Sequence, residues 1–280
     1  MSPSTILLTG AAGRIGSMLR PRLARPDRVL RLLDVAPLPP GPAPAGLPSA
    51  GPEEAVTASV TDLAAMTAAC AGVDAVIHLA GIATEDAWAP VLDVNINGAY
   101  TVFEAARRAG VRRVVFASSN HAVGFAPRAA YPVADDARPE PDTYYGVSKA
   151  AGEALAALYA RRYGLETVCV RILSCFDRPQ NARMLATWLS PDDAGRLFDS
   201  CLTAPAPGFR VIYGVSANTR GGWVSLDGAR ALGYQPRDDA ESYAAEVLRG
   251  REPDPADPVF RYLGGEFTLP SRDAPIPPAV

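Results

Sequence analysis

Short apolar runs rich in β-branched residues, separated by longer alanine-rich stretches, constrain this chain more than any other feature. The runs are "TILLT" at 5–9, "RVLRLLDV" at 28–35, "DAVIHLA" at 74–80, "RRVVFAS" at 112–118 and "ETVCVRI" at 166–172; "DLAAMTAAC" and "AYTVFEAARRAG" lie between them with helical spacing. A strand followed by a crossover helix and another strand makes a right-handed βαβ unit, and a series of them builds a parallel sheet with helices on both faces. The expected fold is therefore α/β, a Rossmann-type doubly wound sheet. "APLPPGPAPAGLPSAGPEE" at 36–54 interrupts the alternation with seven prolines. Only one strand-helix-strand precedes it, too little to fold alone, so it reads as a surface loop within one domain.

Beyond residue 173 the pattern loosens into "SPDDAGRLFDSCL" at 190–202, a strand-like "FRVIYGV" at 209–215 and a polar helix near 239–249. The expectation is a single domain over 1–280, with a cofactor-binding core at 1–173 and mainly substrate-binding elements at 174–280. Net charge is −3, and the 27 lysines and arginines form no basic stripe, which argues against a nucleic-acid partner. The four cysteines have no paired spacing, and with two histidines they point to no metal site. The N-terminus lacks a basic leader, and no apolar run approaches the ~18 residues that span a bilayer, so a soluble cytoplasmic protein without membrane contact is expected.

"LLTGAAGRIG" sets Gly10, Gly13 and Gly16 between the first strand and a helix. Glycines there permit a tight turn and let backbone N–H groups reach a pyrophosphate. Asp34 ends the second strand 18 residues past Gly16. A carboxylate at that place accepts hydrogen bonds from an unmodified ribose and repels a 2′-phosphate, favouring NAD over NADP.

"YYGVSK" at 144–149 puts Tyr145 and Lys149 one helical turn apart and points Tyr144 elsewhere. A tyrosine of ordinary pKa is only ~0.1% phenolate at pH 7, so a tyrosine base needs its pKa lowered by roughly 3 units, or about 4 kcal/mol. A nearby ammonium supplies about 1–3 of those units, and a positive nicotinamide ring adds to it. "VVFASSNH" ends a strand and would carry Ser118, Ser119, Asn120 and His121 to the carboxyl edge of the sheet, where ligands bind.

Together, TGAAGRIG, Asp34, HLAG, Asn95 with Gly98, the serines after "VVFA" and YGVSK resemble the extended short-chain dehydrogenase/reductases over residues 5–173. "FASSNHAVGFAP", "YGVSKAAGE", "VRILSCF" and "RMLATWLS" resemble the uronate dehydrogenases nearly end to end. That resemblance implies NAD-dependent oxidation of the C1 hydroxyl of galacturonate or glucuronate to an aldarolactone. It implies Tyr145 as general base, Lys149 as its tuner and ribose contact, and Ser119 on the reacting hydroxyl. Asn120, His121 and Ser174 would touch sugar hydroxyls, and Arg183 would pair with the C6 carboxylate, with Arg178 a rival. The implied cofactor contacts are Gly10, Gly13, Arg14, Ile15 and Gly16 in the glycine loop, then Asp34, Ser59 and Val60. Leu79, Ala80, Gly81 and Asn95 follow, and Tyr145 and Lys149 complete the set. His78, inside an apolar run, reads as a core residue.

Two positions depart from the pattern. Ala83 stands where a substrate-touching serine is usual, leaving Thr84 to replace it, and Ser59 stands where an aspartate commonly holds the adenine amino group. A homo-oligomer is expected by analogy with the superfamily. Two further readings stay open: a nucleotide-sugar epimerase or dehydratase, which would retain its NAD, and a non-catalytic NAD sensor, which has no need of Ser119, Tyr145 and Lys149 together.

Overall fold

A computed structural model describes residues 4–38 and 51–269. In chain order it shows β1 (Ser4–Thr9), α1 (Arg14–Leu23), β2 (Arg28–Asp34), β3 (Glu53–Thr57), α2 (Leu63–Ala69) and β4 (Ala75–His78). A short turn α3 (Trp88–Pro90) runs through a π-helical stretch, Val91–Asn97, into α4 (Gly98–Arg108), and β5 (Arg113–Ser119), α5 (Tyr144–Tyr163) and β6 (Glu166–Ile172) follow. The two-residue strands β7 (Ser174–Cys175) and β8 (Trp188–Leu189) flank α6 (Met184–Thr187), and α7 (Pro191–Thr203) leads to β9 (Phe209–Gly214). Seven strands form one parallel sheet in the order β3-β2-β1-β4-β5-β6-β9.

Because side chains alternate along a strand, each strand feeds two cores. Ile6 and Leu8 of β1, Ile77 of β4 and Val115 of β5 pack under α1 and α7 with Leu19, Leu23, Leu197 and Phe198. Leu7, Val76, Val114 and Phe116 point the other way, against Met66 of α2, Phe103 of α4 and Tyr159 of α5. Helix α5 lies close to β5 because Gly152 has no side chain: a Cβ there would come 2.2 Å from the Phe116 ring.

Strand order reverses between β1 and β4, and that is where a crevice opens at the carboxyl ends of a doubly wound sheet. Two expectations change, the extent of the proline-rich loop and the form of the polar helix. Glu53 and Glu54 belong to β3, paired with Leu30 and Arg31, so the proline-rich loop is shorter than 36–54; its residues 39–50 lie outside the described residues. The strand-like stretch expected at 209–215 joins the sheet as β9, which pairs with β6 from Thr167↔Phe209 to Ile172↔Gly214. The polar helix near 239–249 is a 3-10 turn, Ala240–Tyr243, followed by one short helix, Ala244–Leu248. Its first turn is closed by Asp239, whose carboxylate accepts from Glu241 N at 2.9 Å. Among the described residues no helix is long and apolar enough to cross a membrane.

Candidate active site

A cavity of about 990 Å³ runs along the carboxyl edge of the sheet from the β1–α1 turn to the segment around Phe267. Its first half is made mostly of backbone. Gly10 adopts φ +71°, and a Cβ on it would lie 2.6 Å from Ala80 N, so only glycine lets the end of β1 abut the end of β4. A Cβ on Gly16 would lie 2.3 Å from Gly10 O, which closes the turn against the helix start. Gly13 caps α1 in extended conformation with no side-chain cap, leaving the first-turn N–H groups of Arg14, Ile15 and Gly16 for an anion. Asp34 is fixed at the cavity wall: its two carboxylate oxygens accept from Ala12 N at 2.9 Å and Ala36 N at 3.0 Å. Val60, Leu79, Ala80 and Gly81 continue the wall.

Ser59 also lines the cavity, with its hydroxyl engaged by Thr61 Oγ1 at 2.8 Å and Thr61 N at 3.2 Å. Asn95 stands behind the wall instead of in it. Its amide is engaged by Ile82 N at 2.7 Å, Ile82 O at 3.0 Å and Ser148 Oγ at 3.0 Å, so it braces the loop after β4. A glycine cradle that any Cβ would fill, followed by a fixed ribose-facing carboxylate, fits a dinucleotide.

The second half is built from side chains. Thr143 caps α5 by accepting from Gly146 N at 3.0 Å, and Glu85 accepts from Tyr144 N at 3.1 Å and Tyr145 N at 2.9 Å. These contacts set Tyr145 against the cavity, while Tyr144 packs outside on Trp88 with rings 5.5 Å apart. Lys149 Nζ sits 5.4 Å from the Tyr145 ring and donates to Ala117 O at 2.9 Å. Burial lowers the Lys149 pKa to about 8. It pushes the Tyr145 phenol up to about 12, opposed by a hydrogen bond with Ser119 and reinforced by the Asp142 charge. Desolvation of the phenolate is the largest of these influences on Tyr145, ahead of Ser119 and Asp142.

Arg183 carries a buried guanidinium whose Nη2 donates to Leu263 O and whose Nε has no partner. Its ion lies 5.5 Å over the Trp223 ring, and among the described residues it has no ion pair. Burial lowers its pKa, against the raising influence of Tyr131, Asp142 and Glu266. Arg178, the other candidate, is exposed and does not line the cavity. Ser174 lines the wall with its hydroxyl on Thr187 Oγ1 at 2.9 Å, Asn120 donates to Leu263 O at 3.2 Å, and His121 bonds Asp142 at 2.7 Å. Ala83 and Thr84 both line the cavity. His78 is a core residue: it is bonded to Thr9 Oγ1 at 2.8 Å, and burial and Lys149 lower its pKa to about 3.

A profile of the NAD dependent epimerase/dehydratase family matches residues 6–190, the span holding the glycine turn, Asp34, Ser119, Tyr145 and Lys149. The chain belongs to that family. Within it, a uronate dehydrogenase of Pseudomonas putida is 44% identical over 265 residues, 94% of this chain and 95% of its own length. An NAD-dependent glucose-6-phosphate dehydrogenase of Haloferax volcanii is 39% identical over 257 residues, 86% of this chain and 96% of its own. The crystal structure of a uronate dehydrogenase from Agrobacterium tumefaciens, a point mutant complexed with NAD, matches with a TM-score of 0.85 at 40% identity, covering 95% of this chain and 97% of that one.

Family motifs do not reach every residue of the site. Glu85, Asp142, the Ala117 carbonyl and the Val259–Phe267 segment escape sequence reasoning. The only hint of the last is "LGGEF": Gly265, at φ +63°, lets the chain come down on Arg183, where a Cβ would meet Nε at 2.6 Å. Among the described residues no group of three His, Cys, Asp or Glu side chains is placed to hold a metal ion.

Proposed function

We propose that this chain oxidises a hexuronate at C1, using NAD⁺, to an aldarolactone. The observation that carries the reading is Arg183, a buried cation whose Nε has no hydrogen-bond partner and which makes no ion pair among the described residues, opening on a cavity whose other end fits a dinucleotide. A carboxylate on the substrate supplies the missing charge and bonds bidentately. Bound NAD⁺ supplies the hydride acceptor and a positive ring charge. Ser119 holds O1, Tyr145 takes the O1 proton as the C1–H bond gives up its hydride, and Lys149 steadies the phenolate that forms. Asn120, His121, Ser174 and Thr84 contact the remaining hydroxyls. The ring oxygen is untouched, so the carbonyl formed at C1 closes a six-membered lactone.

Asp34 supports NAD over NADP, because a 2′-phosphate beside that carboxylate is repelled. We take the chain to act as one domain, with cofactor contacts within 1–173 and substrate contacts shared by both parts; the pairing of β9 with β6 supports this. A cytoplasmic homo-oligomer completes the proposal. In favour are four free buried cysteines, and exposed Tyr100, Val147 and Leu158 on α4 and α5.

The test is NADH formation by the purified protein with D-galacturonate and D-glucuronate, with D-galactose and D-glucose as controls lacking only the acid, and glucose 6-phosphate as an anion of different shape. Reduction of NAD⁺ with the uronates alone supports the reading. Equal turnover of the neutral sugars removes Arg183 from the argument, and turnover of the phosphate alone moves the substrate class to sugar phosphates.

A further inference from the structure

A buried carboxylate beside the cavity has no part in the proposed reaction. Asp142 precedes α5 with a fully buried side chain, and its polar partners are His121 Nδ1 at 2.7 Å and Thr143 Oγ1 at 2.9 Å. Three glycines enclose it: Cβ atoms on Gly124, Gly146 and Gly264 would come within 2.0, 3.2 and 1.9 Å of its oxygens. Its charge pushes the Tyr145 phenol up, against the direction a base needs, so its place is not explained by Tyr145.

His121 explains it. An ionised carboxylate only accepts hydrogen bonds, so the imidazole nitrogen facing it must carry a proton. The ring is held from other sides as well, by Phe267 at 4.3 Å and Tyr145 at 5.8 Å between centroids, and its backbone N–H is bonded to Ser119 Oγ at 3.2 Å. Among the described residues the ring makes no hydrogen bond besides the one at Nδ1, and His121 lines the cavity.

We propose that Asp142 is a positioning residue that holds His121 as the neutral Nδ1–H tautomer, presenting Nε2 to the cavity as an acceptor, so that the site selects a substrate hydroxyl able to donate there. The neighbouring groups give this consequence. Arg183 can only donate, and Asn120 already spends a donor on Leu263 O, so an obligate acceptor among them dictates the direction of one sugar hydrogen bond. A carboxylate that bonds the far nitrogen of a histidine and so fixes its tautomer is the same device that orients metal-ligating histidines. The proposal rests on the uronate reading for the identity of the sugar only; the tautomer does not depend on it.

Two measurements test it. The first is the ¹⁵N spectrum of the full-length protein with NAD, labelled at histidine; the chain has two histidines, and His121→Gln identifies which signals are His121. Nδ1 protonated and Nε2 bare is the expected result, and a ring protonated at Nε2, alone or with Nδ1, overturns the proposal. Asp142→Ala should release the ring to the Nε2–H form; if that variant does not fold, the wild-type spectrum still decides. The second uses uronates in which each ring hydroxyl is replaced singly by fluorine, which cannot donate. One position should lose about 10- to 100-fold in kcat/KM in the wild type, the effect of an acceptor left unpaired, and lose little further in His121→Ala. If every position loses equally in both proteins, His121 does not select a donor. Failure of all uronates to reduce NAD⁺ would sink the functional reading while leaving the spectrum to judge the tautomer.

Discussion

The two ends of the cavity are made differently. At the cofactor end the decisive contacts are backbone groups exposed by missing side chains: Gly10, Gly13 and Gly16 fall within seven residues, and Asp34 follows on the next strand. At the end proposed for the substrate the lining is side chains from distant segments, with Arg183, Asn120 and His121 meeting the chain around Leu263 and Phe267. The first end therefore fails when atoms are added, and the second when atoms are removed or recharged.

Five changes should break or sharpen that contrast. The largest effect is expected from Tyr145→Phe, which removes only the phenolic oxygen; kcat should fall by about 10²–10⁴-fold or more, while NAD binding, followed by calorimetry, stays nearly unchanged. A kcat within a few-fold of wild type would show that another group takes the proton. Gly10→Val is the mirror case. It places a branched side chain 2.6 Å from Ala80 N at positive φ, and should abolish NAD binding or destabilise the fold, with every substrate affected alike in steady-state assays.

Arg183→Met should lower kcat/KM for uronates by roughly 30-fold or more, as expected for a buried charge pair that loses one member. The same variant should raise the melting temperature of the substrate-free protein, because a desolvated cation with no ion pair among the described residues is removed. Loss of stability instead would mean that Arg183 serves the fold before it serves the substrate.

Lys149 makes a pH prediction. Its folded pKa of about 8 lies below the ordinary 10.5, so between those values the unfolded chain binds the extra proton and stability rises with pH. Lys149→Met should flatten that rise in denaturation curves measured from about pH 8 to pH 10.5, by an amount on the order of 1–3 kcal/mol. The smallest effect is expected from Ser59→Asp. A carboxylate there accepts from the adenine amino group more strongly than the hydroxyl now shared with Thr61, and the KM for NAD should fall a few-fold with kcat unchanged.

The two histidines show how far residue type alone carries. His78 sits in an apolar strand, and its burial could be read from "AVIHLA", because a strand residue between two covered faces has nowhere else to go. His121 follows a strand end, so its place at the cavity was equally legible. Its partner was not: Asp142 is 21 residues away across a loop with no periodicity, and nothing in the intervening sequence marks it. The missed strand β3 has a similar cause, since "EEAVT" is exposed along most of its length and shows no apolar alternation.

What the amino-acid sequence determined by itself was everything set by local geometry or by repeated pattern. Its two-faced strands demanded helices on both sides, its glycine turn demanded an anion at a helix start, and its Tyr145 and Lys149 shared a helix face one turn apart. What only the tertiary structure decided was the electrostatic state of the site. Whether a phenol rises or falls, whether Arg183 meets a counter-ion and which nitrogen of His121 is bare depend on burial and on partners from remote segments, and neither quantity is a property of neighbouring residues.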